Sequence, residues 1–156
     1  MRRILYAVAT AVAIATGVVG FHHQQVRPHI LGFNTGGAIT EFIEEYDELR
    51  RTGRPVILDG MCMSACTLVV GLIPPQRLCT TPFGKLAFHS AWYQGPFGMS
   101  VHASEGTRLI WHIYPEPLRQ LLRDRGWNGD NGPADNAHPT MIYVEGSDLL
   151  GVIRAC

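Results

Sequence analysis

The sequence has no excess of either charge: thirteen basic side chains are matched by thirteen acidic ones, for a formal net charge of zero. It also lacks a run of basic residues, so nothing in it carries the electrostatic footprint of a nucleic-acid binder. A Cys-x-x-Cys redox motif is absent. Cys62 and Cys66, with three residues between them, have no matching second pair and no histidine at finger spacing, which argues against zinc. No internal repeat or low-complexity tract is present. Charged residues are only 17% of the 156 and hydrophobic residues 46%, which excludes disorder and supplies the core of one ordinary domain.

The start of the chain differs from the rest. Arg2 and Arg3 precede an apolar run from Ile4 to Phe21, broken only by Thr10, Thr16 and small glycines. A short basic region before an apolar one is the pattern of a secretory signal, and Ala13-Ile14-Ala15 offers a small-x-small cleavage site. The run is also long enough to span a bilayer, for which a helix needs about 20 apolar residues. A buried first strand or helix is the third reading, and the flanking arginines disfavour it. Residues 1–20 are therefore expected to be a signal peptide or a membrane anchor, and residues 21–156 a domain that is periplasmic, otherwise exported, or held at the membrane through residues 4–21. Four cysteines, Cys62, Cys66, Cys79 and Cys156, fit a compartment where disulfides persist. They allow three complete pairings, among which sequence does not choose.

Strands and helices alternate along the rest. His29 to Phe33 reads as a short strand ending at Asn34-Thr35-Gly36-Gly37. Ile39, Phe42, Ile43, Tyr46 and Leu49 then recur at helical spacing, predicting an amphipathic helix over 40–51. Val56-Ile57-Leu58 is a second short strand, and strand–helix–strand of this length is a βαβ unit with a parallel sheet. Met61 to Ile73, almost wholly apolar, reads as a turn leading into a buried helix that Pro74-Pro75 ends. Strands are expected over 77–80 and 85–92, an exposed glycine-rich loop over 95–106, and a helical turn over 109–114. A helix from Pro115 to about Arg125, a polar loop over 128–139 and a last strand over 141–144 complete the α/β pattern.

Ser64 lies where a strand meets a buried helix, a place that exposes its hydroxyl and offers free backbone N–H groups to a developing negative charge. A serine hydroxyl still needs a base. His89, on the second strand downstream, would share a sheet edge with Ser64 if the two strands were parallel neighbours. Gly36-Gly37, opening the first helix, would supply a second backbone donor. Taken singly, such a serine is ordinarily a helix cap, such a histidine a packed side chain and such a glycine pair a turn. His22, His23, His29, His102, His112 and His138 read as surface or linker residues. Trp92, Trp111 and Trp127 read as core, with Trp92 near enough to His89 to line a groove.

Order and spacing say more than the single residues. Asn34-Thr35-Gly36-Gly37 before a helix resembles the Asn-Ser-Pro-Gly-Gly element of the ClpP peptidases. Met63-Ser64-Ala65 resembles their nucleophile turn, and Phe88-His89 their general-base strand; the 25-residue interval from Ser64 to His89 suits that family. The resemblance covers roughly residues 31–127 and implies a ClpP/crotonase-like spiral of βαβ units. Gly36 follows Phe21 by only fifteen positions, so that spiral would be truncated at its N-terminal end. It further implies peptide-bond or related acyl hydrolysis of a peptide or protein substrate, no metal or cofactor, and often a homo-oligomer. Ser64 would be the nucleophile, His89 the general base, and Gly37 and Ala65 the oxyanion-hole donors. The family's aspartate falls on Asp135 in the polar loop, with Asp130 the alternative. The Cys-x-Ser-Ala-Cys pattern is similar to that of a group of exported ClpP-like proteins, and in that setting Cys62 or Cys66 would bond to Cys79. Two rival readings remain: a non-catalytic binding or assembly module on the same scaffold, and crotonase-type acyl-thioester chemistry, which needs no Ser64 and sits badly with export.

Overall fold

The computed structural model describes residues 27–129 and 141–156. They form a mixed α/β domain with two three-stranded sheets and a separate hairpin. Strand β1 (His29–Leu31), helix α1 (Ile39–Arg51) and strand β2 (Val56–Leu58) make the expected βαβ unit, with β1 parallel to β2. Helix α1 buries Phe42, Tyr46 and Leu49 and leaves its charged face in water, as its spacing predicts.

The apolar stretch after β2 divides differently from the expectation of a turn and one helix. Met61–Met63 is a strand, β3; Ser64–Leu68 is a 3₁₀ helix, and only Val69–Leu72 is α-helical (α2). An unbroken apolar run carries no period that separates strand from helix. Here the first three residues find ladder partners in strand β5 (Lys85–Phe88), with Cys62 opposite Leu86 and Met63 opposite Ala87. Strand β4 (Leu78–Thr80) joins β2 in the first sheet. The first sheet therefore runs β1-β2-β4, all parallel. The second runs β3-β5-β8, where β8 (Ile142–Val144) lies antiparallel to β5.

The chain passes between these sheets at sharp bends. From β2 it turns at Asp59-Gly60 into β3, and from β4 at 81–84 into β5. Beyond β1 it reaches the second sheet through a parallel bridge between Asn34 and Cys62. Gly60 allows its bend because a Cβ there would come within 2.7 Å of the Gly32 backbone.

The segment expected as a loop over 95–106 is ordered instead. Trp92–Gln94 (β6) and Ser100–His102 (β7) pair as an antiparallel hairpin, and Ser104–Ile113 is a full helix, α3, longer than the expected helical turn. Helix α4 (Glu116–Asp124) follows Pro115, and α5 (Gly146–Leu150) follows β8. One buried cluster unites Tyr46, Leu58, Leu68, Leu86, Phe88, Leu118, Trp127 and Val144.

Both disulfides are closed, in a pairing other than the one the resemblance implied. Cys62 bonds to Cys66 and Cys79 to Cys156. Cys79 sits opposite Ile57 in the first sheet, a bend away from Cys62 in the second. Its neighbour is the chain end: Thr80 N–H donates to the Arg154 carbonyl (2.9 Å) and Cys156 N–H to the Thr80 carbonyl (3.0 Å). Two disulfides suit an oxidising compartment. Among the described residues no helix is long and apolar enough to cross a membrane; residues 1–20 lie outside them.

Candidate functional site

Ser64 is held in a left-handed backbone conformation, φ 56°. For a residue with a Cβ this costs about 1–2 kcal/mol, so the surroundings must impose it. Strand β3 enters the turn fixed on both sides, paired with β5 and bonded to Asn34, whose N–H donates to the Met61 carbonyl (2.8 Å) and whose carbonyl accepts from Met63 N–H (2.9 Å). After the turn, the Thr67 hydroxyl donates to the Ser64 carbonyl (2.6 Å). With its only proton committed there, Thr67 accepts from the Tyr114 hydroxyl, 2.6 Å away. The Tyr46 hydroxyl donates to the Cys66 carbonyl at 2.8 Å. Burial drives both phenols well above the ordinary tyrosine range, so both remain donors.

Gly36 completes the turn. Its φ is +82°, and a Cβ on it would lie 2.5 Å from Ser64 Cβ and 2.6 Å from the Met63 carbonyl oxygen. The Gly-Gly element and the serine turn are thus in van der Waals contact. Gly36 N–H is already committed to Asn34 Oδ1 (2.8 Å), whereas Gly37 N–H has no acceptor among the described residues. Ala65 lies in the first turn of the 3₁₀ helix, where amides have no carbonyl a turn earlier. Gly37 and Ala65 are therefore among the donors left free at the site.

His89 lies just past the end of β5 rather than within it. It is buried, and its Nδ1 is 2.7 Å from the Ser90 carbonyl oxygen. A carbonyl only accepts, so Nδ1 carries the hydrogen and Nε2 keeps its lone pair. Desolvation lowers the His89 pKa below the ordinary imidazole value, and the Ser90 carbonyl offsets this in part. Such an imidazole is neutral at pH 7, as a base must be. The parallel pairing of β3 with β5 delivers Ser64 and His89 to the same edge, and both line one cleft of about 840 Å³. They make no direct hydrogen bond to each other. Asp135 and Asp130 lie outside the described residues, and no described carboxylate bonds to His89.

The cleft is lined by small residues such as Gly37, Ala38, Ala91, Ala103 and Gly106, with Ile39, Ile110 and Met141 as apolar walls and Trp92, Tyr93 and Gln94 beside them. Among the described residues, no Asp, Glu, Lys or Arg lines it. Among the described residues no group of three or more His, Cys, Asp or Glu could hold a metal ion. Sequence reasoning placed Asn34 in the Gly-Gly element without its bonds to β3, and missed the supporting residues Thr67, Tyr114 and the Ser90 carbonyl. Thr67 had a signal, as one of two polar residues in the apolar run; Tyr114 had none. No protein-family model matches the chain, and no curated protein matches it.

Proposed function

We propose that the domain is a serine hydrolase of ClpP-like type, acting on peptide or protein substrates with Ser64 and His89 as a catalytic pair. The observation that carries this reading is the left-handed Ser64 turn facing the same cleft as a buried histidine with a free Nε2. Ser64 Oγ attacks a carbonyl carbon while His89 Nε2 takes the hydroxyl proton, then returns it to the leaving group. Gly37 and Ala65 N–H groups receive the oxyanion. Water admitted to the cleft resolves the acyl-enzyme by the same proton path in reverse. The Ser90 carbonyl takes the orienting part that a carboxylate plays elsewhere, fixing the tautomer. Strands that bend from one sheet into the other support a ClpP/crotonase-like spiral, and the disulfides support a periplasmic or otherwise exported site of action.

A second reading, a binding or assembly module on this scaffold, is favoured by one observation: Ser64 and His89 are not hydrogen-bonded. Hydrogen bonds of catalytic pairs are often long until substrate arrives, so the hydrolase stands first. The test is labelling of the purified, oxidised protein by a fluorophosphonate probe, beside Ser64→Ala and His89→Ala. Labelling of the wild type that both substitutions abolish supports the hydrolase; absence of labelling in a folded wild type supports the binding module.

A further inference from the structure

The catalytic sequence above uses neither sulfur of the Cys62–Cys66 disulfide, yet that bond brackets the nucleophile, two residues away on each side. Both cysteines are fully buried. Each end is anchored independently: Cys62 by its pairing with Leu86 and its bridge to Asn34, Cys66 by the Tyr46 hydroxyl on its carbonyl. The two Cα atoms are 5.4 Å apart. An extended segment of this length would span about 13 Å, so the cross-link admits only a tight reversal. Met63 remains extended, with φ −115° and ψ 155°, so the reversal falls on Ser64 and the helical Ala65, of which Ser64 alone is left-handed.

We propose that the Cys62–Cys66 disulfide is a positioning element of the site, holding Ser64 in its left-handed turn so that the serine is most reactive in the oxidised chain. This rests on the hydrolase reading. Reduction by a dithiol would transfer two electrons and two protons to the bridge, giving two thiols and leaving the reagent as its own disulfide; Ser64 itself would be untouched. The left-handed preference that must then be met without the clasp corresponds to roughly a 5- to 30-fold loss of the competent population.

The experiment compares the oxidised wild type with Cys62→Ala/Cys66→Ala, and with Cys79→Ala/Cys156→Ala as a control for loss of a cross-link remote from Ser64. Two readouts are used: the rate of fluorophosphonate labelling, and the three-bond HN–Hα coupling of Ser64, which reports its φ. The first variant is expected to label roughly 5- to 30-fold more slowly with an altered coupling. The control, assayed below its melting transition, keeps both at wild-type values. Should the alanine pair not fold, Cys62→Val/Cys66→Ala restores the sulfur volume and replaces it. A wild-type rate and unchanged coupling without the clasp overturn the proposal. If no protein labels, the hydrolase reading fails on its own, and the coupling still decides whether the clasp holds the turn: a shift upholds it, none overturns it.

Discussion

Gly36 and Gly37 are adjacent, and alanine should have opposite consequences at the two. At Gly36 the new methyl would lie 2.5 Å from Ser64 Cβ and 2.6 Å from the Met63 carbonyl oxygen, against an ordinary contact of 3.4 Å or more. Nearly 1 Å must be found, and both neighbours belong to the Ser64 turn. If the turn holds, the strain and the left-handed φ cost about 2–5 kcal/mol of stability. If it yields, Ser64 moves by an amount that typically lowers catalysis about 10²-fold. At Gly37 the methyl would meet, among the described residues, only Phe42 Cε2 at 3.5 Å and Glu41 Oε2 at 4.0 Å, and no left-handed φ is required. That substitution keeps the backbone N–H, so stability should change by less than about 1 kcal/mol and labelling by less than about threefold. Urea melts measure the first quantity and fluorophosphonate labelling rates the second. Wild-type stability and labelling in Gly36→Ala, or equal damage at Gly37, would refute the contact on which the site is built.

Two further outcomes follow from the same geometry. Cys79–Cys156 closes a separation of 77 residues, against 4 for Cys62–Cys66. Chain entropy then assigns the long loop about 4.5 kcal/mol and the short one about 2. Cys79→Ala/Cys156→Ala should melt about 15–20 °C below wild type, and calorimetry showing a smaller loss than for Cys62→Ala/Cys66→Ala would contradict this. In the proposed role His89 must be neutral, and its pKa is lowered by burial, so the midpoint of the acid limb in labelling should lie below pH 6.5. In the same window the unfolded chain binds the proton first. His89 therefore contributes stability that is present above about pH 6.5 and lost as pH falls toward its folded pKa. An acid limb with its midpoint above pH 6.5 in a labelling profile would place the proton elsewhere.

Much of the frame was legible because it depends on local pattern. The spacing of Phe42, Tyr46 and Leu49 defines α1 to within a residue of the expected start, and the turn residues around Val56–Leu58 bound β2 as expected. The order Gly-Gly, serine, histidine survives as a spatial cluster, because β3 and β5 are parallel neighbours. What was not legible depends on tertiary partners. The apolar run from Met61 hides a strand that only β5 reveals, and the glycine-rich stretch hides a hairpin whose tip residues Phe97 and Gly98 adopt positive φ. His89 falls just outside its strand because the chain turns to bring the Ser90 carbonyl onto Nδ1. Cysteine pairing required knowing that the chain end returns to β4.

The bends that carry the chain between the two sheets have a consequence for how such a domain can diversify. Asp59-Gly60 and 81–84 set the phase of both sheets at once, since each lies between strands of different sheets. A residue inserted at either bend would reverse which side chains of β3 or β5 face inward, carrying Ser64 or His89 away from the other. Length can change at the tip between β6 and β7, where the ladder ends in a free turn. A change of length is thus best accommodated at that hairpin, which lies beside the cleft, so the cleft wall can be altered there without displacing Ser64 or His89.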